Sequence, residues 1–169
     1  MKMKKSAERV ALCGLLVALM LVLGYLESLI PIPGMPGVKL GLSNSLLIYA
    51  LYLMNIRTAL ILMVLKVVLS GLMFGGVQAM AFALAGGVLS MAFMAPLSRV
   101  KGLHPVTVSM VGGAMHNAGQ VAMAMIILET PNLLYYMAIL MLVGLGMGAL
   151  TGVTATAVMK HLKTLKFGH

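Results

Sequence analysis

The chain has 169 residues, of which 62% are hydrophobic and only 9% charged, and its formal net charge is +9. With a mean hydropathy of +1.08, too few polar residues remain to cover a water-soluble core of this size, so the composition excludes a soluble domain and points to an integral membrane protein. Nucleic acid is excluded as a partner by distribution rather than by sign, because the basic residues neither cluster on one soluble face nor alternate with stacking aromatics.

Helix 1 is predicted from Glu8 to Ile30, close to the ~20 residues that cross about 30 Å of hydrocarbon. Lys2, Lys4, Lys5 and Arg9 precede the apolar run as in a signal peptide, but no small-residue cleavage site follows, so the run reads as an uncleaved span. Ala7, Ala11, Gly14 and Ala18 recur at spacings of four, three and four, a groove of small side chains into which another helix can dock. Cys13 is the only cysteine, which excludes a disulfide framework and a cysteine metal site; a small buried hydrophobe is expected there. Between Pro31 and Gly37, three prolines and two glycines end the helix in a stiff, lid-like loop.

Helix 2 is predicted from Lys39 to Met54, with Gly41, Ser43, Asn44 and Ser45 making a polar first turn. Asn55 and Arg57 mark a short connection to helix 3, from Thr58 to Phe74, which carries Lys66 near its midpoint. Gly75 and Gly76 form a charge-free turn, and helix 4 covers Val77 to Ala95, where Pro96 stops it. Arg99, Lys101 and His104 occupy a polar loop. Helix 5 runs from Pro105 to Leu128 and is closed by Glu129, Pro131 and Asn132; helix 6 runs from Leu133 to Val158. Gly144, Gly148 and Gly152 on helix 6 are a doubled small-xxx-small pattern suited to close helix packing. The overlapping Gly144-Leu-Gly146-Met-Gly148-Ala149 imitates a dinucleotide fingerprint, but no strand precedes it and no acidic residue follows.

These elements predict an all-α polytopic membrane protein, one domain over residues 1–169 with six spans, in the cell membrane of a bacterium. Lys2, Lys4, Lys5, Arg9, Arg57, Arg99, Lys101, Lys160, Lys163 and Lys166 then fall on one side and only Lys39 on the other, which puts both termini in the cytoplasm. The terminal lysines also suit attraction to anionic lipid.

Within helix 5, His116, Asn117 and Gln120 are polar side chains in a segment otherwise apolar enough to cross a bilayer, where such groups are costly and usually functional. Spacings of three and four put them on one arc, which Ser109 and Gly113 continue. Counting residues brings Lys66, His116 and Gln120 to the middle and outer half of the membrane. Glu27, Lys39 and Asn44 approach the same level, giving an outward-facing pocket beneath the Pro31 to Gly37 loop. Tyr25, Tyr135 and Tyr136 lie at that level too, where an interfacial aromatic belt explains them as well.

The chain has no Asp, and its acidic residues are Glu8, Glu27 and Glu129. A metal site, a two-carboxylate mechanism and a hydrolase triad are therefore unsupported, and there is no Walker A sequence. No catalytic residue and no cofactor is expected, so the chain reads as a binding protein rather than an enzyme. Lys39, Lys66 and His116 outnumber Glu27 in the expected pocket and favour a small anionic ligand.

The run Pro36-Gly-Val-Lys39-Leu-Gly-Leu-Ser-Asn44, followed by Leu72-Met-Phe-Gly-Gly76, Leu84-Ala-Gly-Gly87 and His116-Asn-Ala-Gly-Gln120, resembles the membrane proteins labelled Gx transporters or component I of heptaprenyl diphosphate synthase. These in turn resemble the S components of energy-coupling factor (ECF) vitamin transporters. The second resemblance implies a pocket open to the outside, capped by the loop between helices 1 and 2. It also implies a helix 1 that docks through Ala7, Ala11, Gly14 and Ala18 on a transmembrane coupling protein driven by two ATPase subunits. Gly14 departs from a strict alanine pattern. The synthase label implies at most a non-catalytic partner, because a chain without Asp lacks the Asp-rich motifs that bind magnesium diphosphate. A self-sufficient carrier or channel is a third reading, against which stand the lack of an internal repeat and of a charged ring within one chain.

Overall fold

The computed structural model describes residues 2–29, 42–129 and 131–166, all of them helical or in the turns between helices. The helices are α1 (Lys2–Ser28), α2 (Leu42–Leu53), α3 (Ile56–Ser70), α4 (Gly76–Leu97), α5 (Pro105–Ile127) and α6 (Leu133–Lys166). Local chemistry sets several ends. Asn55, with extended backbone, caps α3 by accepting from Thr58 N at 2.7 Å. His104 caps α5 through Nδ1, and Pro105 fills the first helical position, where its missing N–H costs nothing.

α3 and α4 are joined by a π-helical turn, Gly71–Gly75, after which Gly76 takes φ +73°. That left-handed value suits glycine and turns the chain back. The reversal brings Gly87 on α4 against Met63 on α3, where a Cβ on Gly87 would lie 2.6 Å from the Met63 sulfur. α6 continues to Lys166, beyond the expected end at Val158, and α1 starts at Lys2 rather than Glu8. Both extensions carry the charged ends that a hydropathy reading trims away. Pro96 sits inside the last turn of α4 instead of stopping it, and the helix ends after Leu97. The Pro31 to Gly37 loop and Lys39 lie outside the described residues.

α5 is the centre of the bundle, packed most closely on α6 and α4, while α2 touches α1, α3, α5 and α6. The α5–α6 seam is a glycine seam. A Cβ on Gly113 would collide with the Gly144 carbonyl, one on Gly148 with the Ser109 carbonyl, and one on Gly152 would lie 2.7 Å from Val106 Cα. On the other side, a Cβ on Gly119 would lie 2.7 Å from the Ala85 carbonyl oxygen. Small residues let these backbones approach closely, which in lipid is the main source of helix association.

The exterior is apolar on every helix from α1 to α6 except α2, with Val10, Leu15, Leu72, Val77, Val88, Ile126, Leu142 and Val153 all more than half exposed. Buried polar side chains, by contrast, include Ser43, Ser90, Ser109 and Thr151. The interior around Met20, Ile48, Leu62 and Val108 is apolar as well, so these hydroxyls are exceptions within it; a soluble protein covers such a core with polar side chains, and an exterior of this kind belongs in hydrocarbon. Among the described residues, three stretches are long and apolar enough to cross a membrane: Arg9–Leu26, Ile56–Leu97 and Leu133–Lys160. The second holds both legs of the α3–α4 hairpin. α5 is long enough at 23 residues, but His116, Asn117 and Gln120 lower its hydropathy. α2, at 12 residues, is about 18 Å long and does not by itself reach across hydrocarbon about 30 Å thick.

Candidate functional site

Every helix contributes to one internal cavity of about 100 Å³. On α5 the lining runs through Ser109, Gly112, Gly113, His116, Asn117 and Gln120, the positions at spacings of three and four that share a face, extending about 16 Å along the helix at 1.5 Å per residue. Lys66 lines it from α3, together with Ser70 one turn further on. A volume of this order holds several waters or a small ring system.

The polar groups are held in place by the bundle. Gln120 Nε2 and His116 Nε2 are 3.1 Å apart on successive turns. Asn117 Nδ2 donates to the Leu140 carbonyl at 2.7 Å, tying α5 to α6. Deeper in the cavity, Ser109 Oγ and Thr151 Oγ1 share a hydrogen bond at 2.9 Å. Thr151 Oγ1 also lies 3.1 Å from the Gly148 carbonyl, and Ser90 Oγ donates to the Gly112 carbonyl at 2.8 Å. The glycines explain why these bonds are possible. A Cβ on Gly86 would lie 2.6 Å from the His116 carbonyl oxygen and 2.8 Å from Gln120 Cγ, so only glycine lets α4 back directly on the His116–Gln120 pair.

Much of the remaining lining is soft and apolar. Met20, Met63, Met91, Met94, Met147 and Phe74 surround the cavity, and unbranched thioether side chains adapt their shape to what they contact. Phe74, on the π turn, meets Tyr25 of α1 edge to face, with ring centroids 5.8 Å apart and an interplanar angle of 60°.

Of the residues singled out in the sequence, Lys66, His116, Asn117 and Gln120 come together around this cavity. Glu27 lies on α1 and Asn44 on α2, but their side chains, like all of Lys39, are outside the described residues. Tyr135 is 84% exposed and belongs to the surface rather than the cavity. Ala7, Ala11, Gly14 and Ala18 are all exposed, and a Cβ on Gly14 would meet nothing within 4 Å. Cys13 is half-buried.

Sequence reasoning missed Ser70, Ser90 and Thr151 and read Ser43 only as part of a polar first turn, yet all four line the cavity. Isolated hydroxyls in apolar helices carry little signal, since they can bond their own helix. For Thr151 a signal did exist: it lies three residues after Gly148, on the glycine face that packs against α5. The methionine wall had none, because methionine fills ordinary cores equally well.

Among the described residues there is no cluster of three or more His, Cys, Asp or Glu able to hold a metal ion. An all-helical bundle with an apolar exterior around one internal cavity defines a helical membrane protein. The chain belongs to the family described as heptaprenyl diphosphate synthase component I, whose model matches residues 16–158. No curated protein and no solved structure matches the chain.

Proposed function

We propose that the chain is the substrate-binding membrane subunit, or S component, of an ECF-type micronutrient transporter. It takes a small ligand from outside the cell and delivers it by reorienting in the membrane after docking on a coupling protein. The observation that carries this reading is the cavity: Lys66, His116, Asn117 and Gln120 surround one space lined from all of α1 to α6. A charged or strongly polar side chain in a membrane bundle is costly unless it serves a site or a partner. The exposed stripe of Ala7, Ala11, Gly14 and Ala18 supplies a face for a transmembrane coupling protein, and two ATPase subunits supply the motor that this chain lacks. Six spans with both termini in the cytoplasm complete the reading, and the excess of Lys39, Lys66 and His116 over Glu27 in the proposed pocket favours a ligand with negative character. No step of catalysis is assigned to the chain.

The test is to purify the chain from its own membrane under mild conditions and identify by native mass spectrometry both a retained small molecule and any associated subunits. Retention of a ligand by the wild type, its loss in Lys66→Ala and His116→Ala, and association with a coupling protein and ATPases are the expected results. Wild-type ligand content in both variants would falsify the cavity assignment.

The family description favours a second reading, a non-catalytic membrane component of heptaprenyl diphosphate synthase. With no Asp, the chain supplies no Asp-rich diphosphate site of its own. Capture of a soluble Asp-rich synthase in place of ATPases would establish that reading. Ligand uptake by the chain alone in liposomes would instead make it a self-sufficient carrier.

A further inference from the structure

The carboxamides of Asn117 and Gln120 are each half used. Asn117 Nδ2 is committed to the Leu140 carbonyl and Gln120 Nε2 to His116 Nε2. A carboxamide offers two N–H donors and an oxygen with two lone pairs. Each side chain therefore keeps an oxygen and a second N–H for which the described residues provide no hydrogen bond. Neither oxygen is sealed into the packing: among the described residues, the buried polar side-chain atoms without a partner are the hydroxyls of Tyr52 and Tyr136. Asn117 and Gln120 both line the cavity, and their spacing of three puts their Cβ atoms about 5–6 Å apart on one helix face.

We propose that the cavity recognises a small ring bearing an adjacent N–H and C=O, the edge of a lactam, imide or ureido group, through the free oxygen and N–H of Asn117 and Gln120. This rests on the binding-subunit reading above and adds the ligand's chemistry. A ligand with acceptors only, such as a simple phosphate or carboxylate, satisfies the N–H groups but leaves two amide oxygens facing lone pairs in a low-dielectric space, which is costly. An edge with both a donor and an acceptor satisfies both ends. The two amides are already anchored, at Leu140 and at His116 with Gly86 behind it, so little rotational freedom is lost when a ligand arrives. The methionines and Phe74 of the lining offer a polarizable surface to the faces of a flat ring. A negative group elsewhere on the ligand remains compatible with Lys66.

The experiment uses the full chain in lipid nanodiscs, titrated with three probes. Uracil carries N–H and C=O side by side; 1,3-dimethyluracil keeps the ring and carbonyls but has no N–H; benzoate is a planar anion without an amide. Uracil is expected to bind at least ~10-fold more tightly than either comparator. Gln120→Met, close in volume, removes that preference, and circular dichroism and thermal unfolding establish that the variant is folded. Equal binding of uracil and 1,3-dimethyluracil, or a preference for benzoate, overturns the inference and leaves the cavity reading intact. If none of the three binds, the molecule found by native mass spectrometry of the chain from its own membrane decides. An N–H/C=O edge in that molecule supports the inference, a ligand without one overturns it, and a chain that retains nothing overturns the cavity reading as well.

Discussion

Two glycines in α6, two residues apart, behave as opposites. A Cβ on Gly148 would run into the Ser109 carbonyl and lie 2.7 Å from Met110 Cα, whereas one on Gly146 would meet nothing within 4 Å. Gly148→Ala must push α5 and α6 apart and is expected to destabilise the fold by roughly 1–3 kcal/mol, the usual cost of overpacking. Gly146→Ala is expected to be neutral or stabilising by up to ~1 kcal/mol, because alanine is the better helix former. Thermal unfolding of the two variants in one detergent makes the comparison, and equal effects would contradict the α5–α6 seam described here. The Ser109–Thr151 bond is a second residue-scale case. A double-mutant cycle with Ser109→Ala and Thr151→Val is expected to return a coupling of about 0.6 kcal/mol, typical of hydrogen bonds between membrane helices. Glu129 adds a third: it sits just past α5 with φ +50°, a left-handed position that favours glycine. Glu129→Gly should raise stability by about 0.5–1 kcal/mol in the same unfolding assay.

At the scale of elements, the α3–α4 hairpin depends on its π turn and on the positive φ of Gly76. Gly76→Val combines that φ with a β-branched side chain and is expected to cost more than 1 kcal/mol, although open space surrounds the position. Loss of stability without a steric clash would identify the backbone angle as the cause. The hairpin turn was legible at Gly75-Gly76, since adjacent glycines rarely continue a helix. The π turn before it was not, because Gly71-Leu-Met-Phe keeps the same hydropathy as the helix that leads into it. α1 shows a different division. Its small residues at 7, 11, 14 and 18 were visible as a stripe, and only the fold shows that this stripe faces outward while Leu16, Val17 and Met20 face the core. Under the proposed function, Ala11→Leu with Ala18→Leu leaves the melting temperature unchanged and abolishes co-purification with the coupling protein. Undiminished co-purification would move the docking face elsewhere.

For the whole molecule, an apolar exterior around a core that is itself mostly apolar implies that bundle and bilayer are one system: the helices bury backbone against backbone and leave leucine, valine and isoleucine to the lipid. Under the proposed function, charge sets the orientation in that bilayer. With basic residues concentrated in the 57, 99–101 and 160–166 regions and at the N-terminus, green fluorescent protein fused to either terminus should fluoresce in cells. A secreted-only reporter such as alkaline phosphatase should be inactive at both termini and active when inserted in the Pro31 to Gly37 loop. Activity at a terminus would reject the six-span topology.

The sequence by itself determined that the chain is a helical membrane protein, where most of its helices lie, and that His116, Asn117 and Gln120 share one helix face with Ser109. Those properties are local: hydropathy, periodicity and the scarcity of charge are read along a single strand of text. Only the tertiary structure decided that Lys66, from α3, faces the same space as that arc. It alone also showed that Ser43, Ser90 and Thr151 join the lining and that methionines supply much of its apolar part. The physical reason is that a helix face has no intrinsic inside when nearly every residue is apolar. Contact between helices sets the rotation, and here the contact is between glycine backbones, at Gly113 with Gly144 and Gly86 with His116.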